Sequence, residues 1–141
     1  MSKFAITGGK RLKGTLCPQG AKNEALQVIC ATLLTRQTVT IKNVPEILDV
    51  LKLIELIQGM GVKVEHPAHG EFSFTASDID FGYFETEDFY KKAVSLRGSI
   101  MILGPLLAVH GCGVIPKPGG DKIGRRRLDT HFLGFEKLGA T

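Results

Sequence analysis

The sequence predicts an α/β fold assembled from a repeated helix/strand unit, and three features carry that prediction. Apolar residues recur at i, i+3, i+4 and i+7 in several segments, as they do on helices with one buried face. Between those segments lie short β-branched or alternating runs of the kind that form strands. The order of segments then returns about 75 residues further on, which is how stacked supersecondary units look in sequence. With 141 residues, 43% of them hydrophobic and 23% charged, the chain has the composition of a soluble globular domain able to bury a core.

The elements follow in order. Leu26, Ile29, Cys30 and Leu33 share one face of a helix expected over about residues 23–34. "TVTIKNV" reads as a strand, and Pro45 suits the first turn of a second helix in which Ile47, Val50, Leu51 and Ile54 repeat the helical spacing until Gly59 and Gly61 end it. "VKVE" is a further strand. After a turn marked by Pro67 and Gly70, "EFSFTA" alternates Phe72, Phe74 and Ala76 toward one face.

The second half replays this order with an apolar helix over about residues 99–109, a short strand near "CGVIPK", and a helix over about residues 128–138. "ATLL" and "GPLL" mark the same point of the two first helices, and Gly61 matches Gly139 at the ends of the two second ones. One difference stands out. The compact connection "KNVPEI" of the first unit becomes "KPGGDKIGRRRL" in the second, and an insertion at one place of a repeat usually maps to a functional face.

The totals narrow the partners. The net charge is +4, and the basic residues fall in short clusters, a pattern suited to an anionic small molecule rather than a long nucleic acid. Cys17, Cys30 and Cys112 form neither a disulfide framework nor a zinc spacing, so a reducing cytoplasm is expected and no metal. The first residues lack the apolar core of a signal peptide, and the best apolar run, near residues 100–109, is too short to span a bilayer.

Within the long connection, Gly119, Gly120 and Gly124 allow backbone amides to approach a ligand, but neither GxxxxGK[ST] nor GxGxxG is present. Arg125, Arg126 and Arg127 offer planar forks for phosphate or carboxylate just before a helix start; an exposed basic run is the alternative. Lys22 and Asn23 in "PQGAKNEAL", and Arg97 in "SLRGS", place a cation at related helix starts in both units. Asp121 is either a turn former or a proton donor. A donor must hold its proton, and the cations at 117, 122 and 125 oppose that unless substrate charge offsets them. His66, His69, His110 and His131 assemble into no catalytic or metal constellation.

Taken together, "GAKNEAL", "SLRGSIMILGPLLA" and "PGGDKIGRRRLDTH" resemble, in the same order and over residues 6–141, the UDP-N-acetylglucosamine 1-carboxyvinyltransferases. The resemblance implies transfer of the enolpyruvyl group of phosphoenolpyruvate to the 3-hydroxyl of UDP-N-acetylglucosamine with release of phosphate, the first committed step of peptidoglycan synthesis, without a cofactor. It implies an inside-out α/β barrel of repeated units, here an incomplete domain: residues 1–20 belong to the other domain of the full-length enzyme, and residues 21–141 hold the first two of the three units of the lid-bearing domain, about 21–80 and 90–141. By position, Lys22, Asn23 and Arg126 would contact phosphoenolpyruvate, and Arg97, Arg126, Arg127, Leu128, Asp129 and Thr130 would hold the UDP-sugar. Asp121 would protonate the methylene carbon of phosphoenolpyruvate.

Two departures from the family pattern follow. Most members carry Cys where this chain has Asp121, which should favour a more acidic optimum and resistance to the thiol-alkylating epoxide fosfomycin. The members are also much longer, so the chain is expected to be an N-terminal portion, inactive alone, whose partner is the remainder of the full-length protein. The competing readings are a 5-enolpyruvylshikimate-3-phosphate synthase-like enzyme and a non-catalytic RNA-binding module; against the second, no aromatic stacking platform accompanies the arginines.

Overall fold

The computed structural model describes residues 3–119 and 127–141. Residues 3–21 carry no regular element, and Phe4, Ile6, Leu12 and Leu16 in this segment are exposed. The first helix, α1 (Lys22–Ala31), buries Ala25, Leu26, Ile29 and Cys30 along one stripe, close to the stripe expected from sequence, and tightens into a 3₁₀ turn over Thr32–Leu34. Strand β1 (Val39–Ile41) is shorter than the seven-residue run that suggested it.

Helix α2 (Leu48–Gly59) begins after an extended Ile47, so Pro45 precedes the helix rather than sitting in its first turn, and it buries Val50, Leu53, Ile54, Leu56 and Ile57, while Leu51, expected on that face, is exposed. It ends as a helix must to turn sharply. Gly61 takes a positive φ of 96°, and the Val62 N–H reaches back to the Ile57 carbonyl at 3.2 Å. Strands β2 (Lys63–Ala68) and β3 (Glu71–Thr75) form an antiparallel hairpin, with a break in register between Glu65 and Ala68 where Pro67 has no N–H to donate. The sheet order is β1-β3-β2, with Phe74 facing Val39 on one side and Val64 on the other. Phe72 and Phe74 point into the core, whereas Ser73 pairs its hydroxyl with Thr40 on the opposite face, the alternation that a half-buried strand requires.

Residues 77–95 carried no expected element, yet they hold a 3₁₀ turn over Phe81–Glu85 and a third helix, α3 (Glu87–Ser95). The local signals are clear once seen: Thr86 caps the helix by accepting from the Phe89 N–H at 3.1 Å, and Glu87 and Asp88 sit in the positive first turn. Phe89 packs edge-on against Phe84 and Tyr83 and anchors α3 to the core. The apolar helix expected over residues 99–109 is split into a 3₁₀ stretch, Arg97–Ile102, and α4 (Leu103–His110), with Pro105 in the first turn of α4 and Gly111 at φ 69° closing it.

The strand expected near "CGVIPK" is absent: residues 112–119 are irregular, with no strand of the described residues beside them. Pro116 and Pro118 remove two ladder donors, and a short apolar run without a partner strand does not make a strand. Helix α5 (Asp129–Lys137) lies as expected but buries no residue. The result is a mixed helix/strand fold whose core lies between the Phe72/Phe74 face of the sheet and α1, α2 and α3. No single helix among the described residues is long and apolar enough to cross a membrane.

Candidate functional site

Four separated segments converge on one cleft of about 640 Å³. Lys22 and Asn23 enter from the start of α1, Asp49 and Lys52 from the first turns of α2, Arg97 from the corner after α3, and Leu128 and His131 from the start of α5. Packing inside the core makes this convergence possible. Gly98 has no side chain, so Leu26 of α1 closes against the corner that carries Arg97.

Each wall has a physical cause. Helix α1 begins after Ala21, which is extended and has no side chain to cap the first turn, so the opening N–H groups of the helix remain available to an anion. The Lys22 ammonium lies 2.8 Å from Oδ2 of Asp49, which fixes one position for the cation in the cleft. On the other wall, the fully buried Ser99 hydroxyl shares its proton between the carbonyls of Ala93 and Leu96, 2.7 Å from each. That knot sets the turn from α3 into the 3₁₀ stretch and aims Arg97 outward. The Arg97 Nη2 donates to the carbonyl of Arg127 at 3.4 Å, and the Gly119 N–H donates to the carbonyl of Val94 at 2.9 Å. Residues 119 and 127 are therefore both attached to the same corner, 94–97.

Of the residues singled out from sequence, Lys22, Asn23, Arg97 and Leu128 line the cleft together. Arg127 is not among the lining residues; its carbonyl accepts from Arg97, and its side chain turns to Asp129, Nε to Oδ2 at 3.6 Å. Asp129 and Thr130 are exposed in the first turn of α5 and are not among the lining residues. Asp121 and Arg126 lie outside the described residues, as do Gly120, Gly124 and Arg125. Sequence reasoning missed Asp49 and Lys52, and it gave His131 no role. The available signal was an acid and a base three residues apart, interrupting the apolar pattern of α2 on one flank. Among the described residues no group of three or more His, Cys, Asp or Glu side chains could hold a metal ion.

The cleft thus offers three permanent cations, one carboxylate, the side-chain amides of Asn23 and Gln27, and helix amides that no side chain of the described residues caps, an arrangement that receives phosphate and carboxylate groups. The chain is 56% identical over 140 residues, 99% of its length, to a UDP-N-acetylglucosamine 1-carboxyvinyltransferase of Bacteroides fragilis, and 52% identical over 141 residues to one of Porphyromonas gingivalis. A protein of the same name from Bradyrhizobium diazoefficiens is 45% identical over 138 residues. The chain spans about a third of the length of these relatives, 31–32% of each. The family profile of EPSP synthase (3-phosphoshikimate 1-carboxyvinyltransferase) matches residues 6–141, which is nearly the whole sequence, and the chain belongs to that family.

Proposed function

We propose that these residues form the substrate-facing part of an enzyme that transfers the enolpyruvyl group of phosphoenolpyruvate to the 3-hydroxyl of UDP-N-acetylglucosamine and releases phosphate. The carrying observation is the convergence of Lys22, Asn23, Arg97 and Leu128, drawn from three motifs far apart in sequence, on one cationic cleft. Identities of 45–56% to proteins named for that reaction favour the UDP-sugar as acceptor.

In this reading Lys22, Asn23 and the free amides of α1 hold phosphoenolpyruvate, with Arg126 near its phosphate. Arg97 and residues 127–130 hold the UDP-sugar. Asp121 gives a proton to the methylene carbon, which makes the neighbouring carbon electrophilic; the sugar hydroxyl adds there as its own proton passes to a base in the remainder of the chain, and loss of phosphate and of a proton from the new methyl group then restores the double bond. The electrostatics favour anionic substrates at both ends of the cleft. We place residues 21–141 as two of three repeated units of an inside-out α/β barrel and residues 1–20 in a second domain, with the remainder of a longer chain completing the site. The 141 residues alone are then expected to turn over no substrate. The reaction serves peptidoglycan synthesis in the cytoplasm and needs neither metal nor cofactor.

The test is release of inorganic phosphate from phosphoenolpyruvate by the full-length protein carrying these residues, with UDP-N-acetylglucosamine, with shikimate 3-phosphate, or with no acceptor. Release that requires the UDP-sugar and collapses in Asp121→Asn supports the assignment. Release with shikimate 3-phosphate instead moves it to the other acceptor, and no release from folded protein sinks it.

A further inference from the structure

Lys52 sits half-buried in the cleft wall, three residues beyond Asp49 and on the same flank of α2. Leu48, one turn back, lines the same wall and offers apolar surface for the lysine stem. Two of the three cations of the cleft are engaged: Lys22 with Asp49 at 2.8 Å, and Arg97 with the Arg127 carbonyl at 3.4 Å. No ion pair or side-chain hydrogen bond between described residues includes Lys52. A cation with no partner among the described residues is available to pair with a bound anion. The surplus also sits where an anion would arrive.

We propose that Lys52 is a phosphate-binding residue of this cleft, holding a phosphate oxygen of the bound substrate. The proposal rests on the enolpyruvyl-transfer reading, in which both substrates carry phosphate, a monoester in phosphoenolpyruvate and a diphosphate in the UDP-sugar. Lys52 lies outside the three motifs that carry the family resemblance, so its role comes from its place in the cleft. A lysine suits this role because its ammonium acts as a compact point charge on a flexible stem and can meet either phosphate without the fixed fork of an arginine.

The experiment uses the full-length protein with Lys52→Met, which keeps the stem and removes the charge, and Lys52→Arg, which keeps the charge. KM for each substrate and kcat are measured separately. Lys52→Met is expected to raise one KM about tenfold with kcat changed less than about threefold, and Lys52→Arg to recover most of the loss. The KM that moves identifies the monoester or the diphosphate. Unchanged KM values for both substrates overturn the proposal. Equilibrium binding of phosphoenolpyruvate and UDP-N-acetylglucosamine, measured in parallel, separates this outcome from failure of the reaction assignment. If the wild type binds but does not turn over, weaker binding by Lys52→Met still supports Lys52, and equal binding overturns it. A wild type that binds neither overturns both. Should Lys52→Met fail to fold by circular dichroism, Lys52→Gln is compared in its place.

Discussion

Asp49 accepts a hydrogen bond from the Lys22 ammonium at 2.8 Å although 27 residues separate them, and so joins the first turns of α1 and α2 across the mouth of the cleft. With side chains 44% and 41% exposed, the pair contributes at most about 1 kcal/mol to stability. Its larger effect is on ligands, because the carboxylate repels any anion that approaches Lys22. Asp49→Asn should leave the denaturation midpoint nearly unmoved and lower the Kd for phosphoenolpyruvate about threefold. A Kd that rises would show that Asp49 instead holds Lys22 in its binding position.

Gly119 is the last residue described before 120–126, and its N–H is fixed to the Val94 carbonyl at 2.9 Å. A Cβ at this position would collide with that same oxygen. Gly119→Ala must break the bond or displace the backbone, and Asp121 follows two residues later. We expect kcat to fall by about tenfold or more in the full-length enzyme, with a stability change within about 1 kcal/mol since the site is exposed. Unchanged kcat would show that the tether does not set where Asp121 stands.

The epoxide fosfomycin discriminates between the acid at 121 and a thiol. A carboxylate is a far weaker nucleophile toward an epoxide than a thiolate, so the full-length enzyme should keep its activity at a stoichiometric dose, whereas Asp121→Cys should lose it with a mass increase of one inhibitor. Rapid covalent inactivation of the unaltered enzyme refutes the expectation.

Glu46 ties the connection between β1 and α2 to the β2–β3 turn. Its carboxylate accepts the Gly70 N–H at 2.6 Å and lies 3.0 Å from His66 Nε2 and 2.9 Å from His69 Nδ1. The Gly70 bond above all, helped by the two imidazoles, holds its pKa below the ordinary carboxylate value. The sign follows from linkage. A depressed pKa in the folded state adds stability above the unfolded value, and that stability is lost as pH falls through the folded one. Glu46→Gln should therefore melt below the wild type at about pH 7, with the gap closing as pH falls below about 4. A gap independent of pH would remove the carboxylate's charge from the account.

Burial pushes the Cys30 thiol up to about 12, while Cys17 and Cys112 are exposed. In the native protein Cys17 and Cys112 should be labelled by a thiol reagent promptly and Cys30 only on unfolding, as peptide mapping would show, since the thiolate is the reacting form. Prompt labelling of all three would mean that α1 opens readily.

The sequence made plain those elements whose causes are local. The apolar stripe of α1, the alternation of Phe72 and Phe74, and the glycines that end helices all act within a few residues of where they are read, whereas in α2 the helix was legible but half its expected stripe was not, since Ile47 and Leu51 are exposed and Leu53, Leu56 and Ile57 are buried. What escaped depended on distance or on competing signals. Helix α3 is held by a Thr86 cap and by Phe89, cues hidden among the charges and aromatics around it. The expected strand at 112–117 failed for want of a neighbour, which no local pattern reports. In the site, Lys22, Asn23 and Arg97 stood out because they sit at helix starts within recognisable motifs. Asp49 and Lys52 did not, because their meaning appears only when α1 lies across α2.

The strand order also bears on how the chain assembles. The middle strand, β3, is the last of the three in sequence. Strand β2 meets it at once through a tight hairpin, but Thr40 of β1 must wait for Ser73, 33 residues downstream, before it has any strand to pair with. Whatever pace the hairpin sets, completion of the sheet is a long-range event that spends chain entropy before it gains contacts. As the protein is synthesised, β1 emerges as an unpaired edge and remains one until β3 arrives.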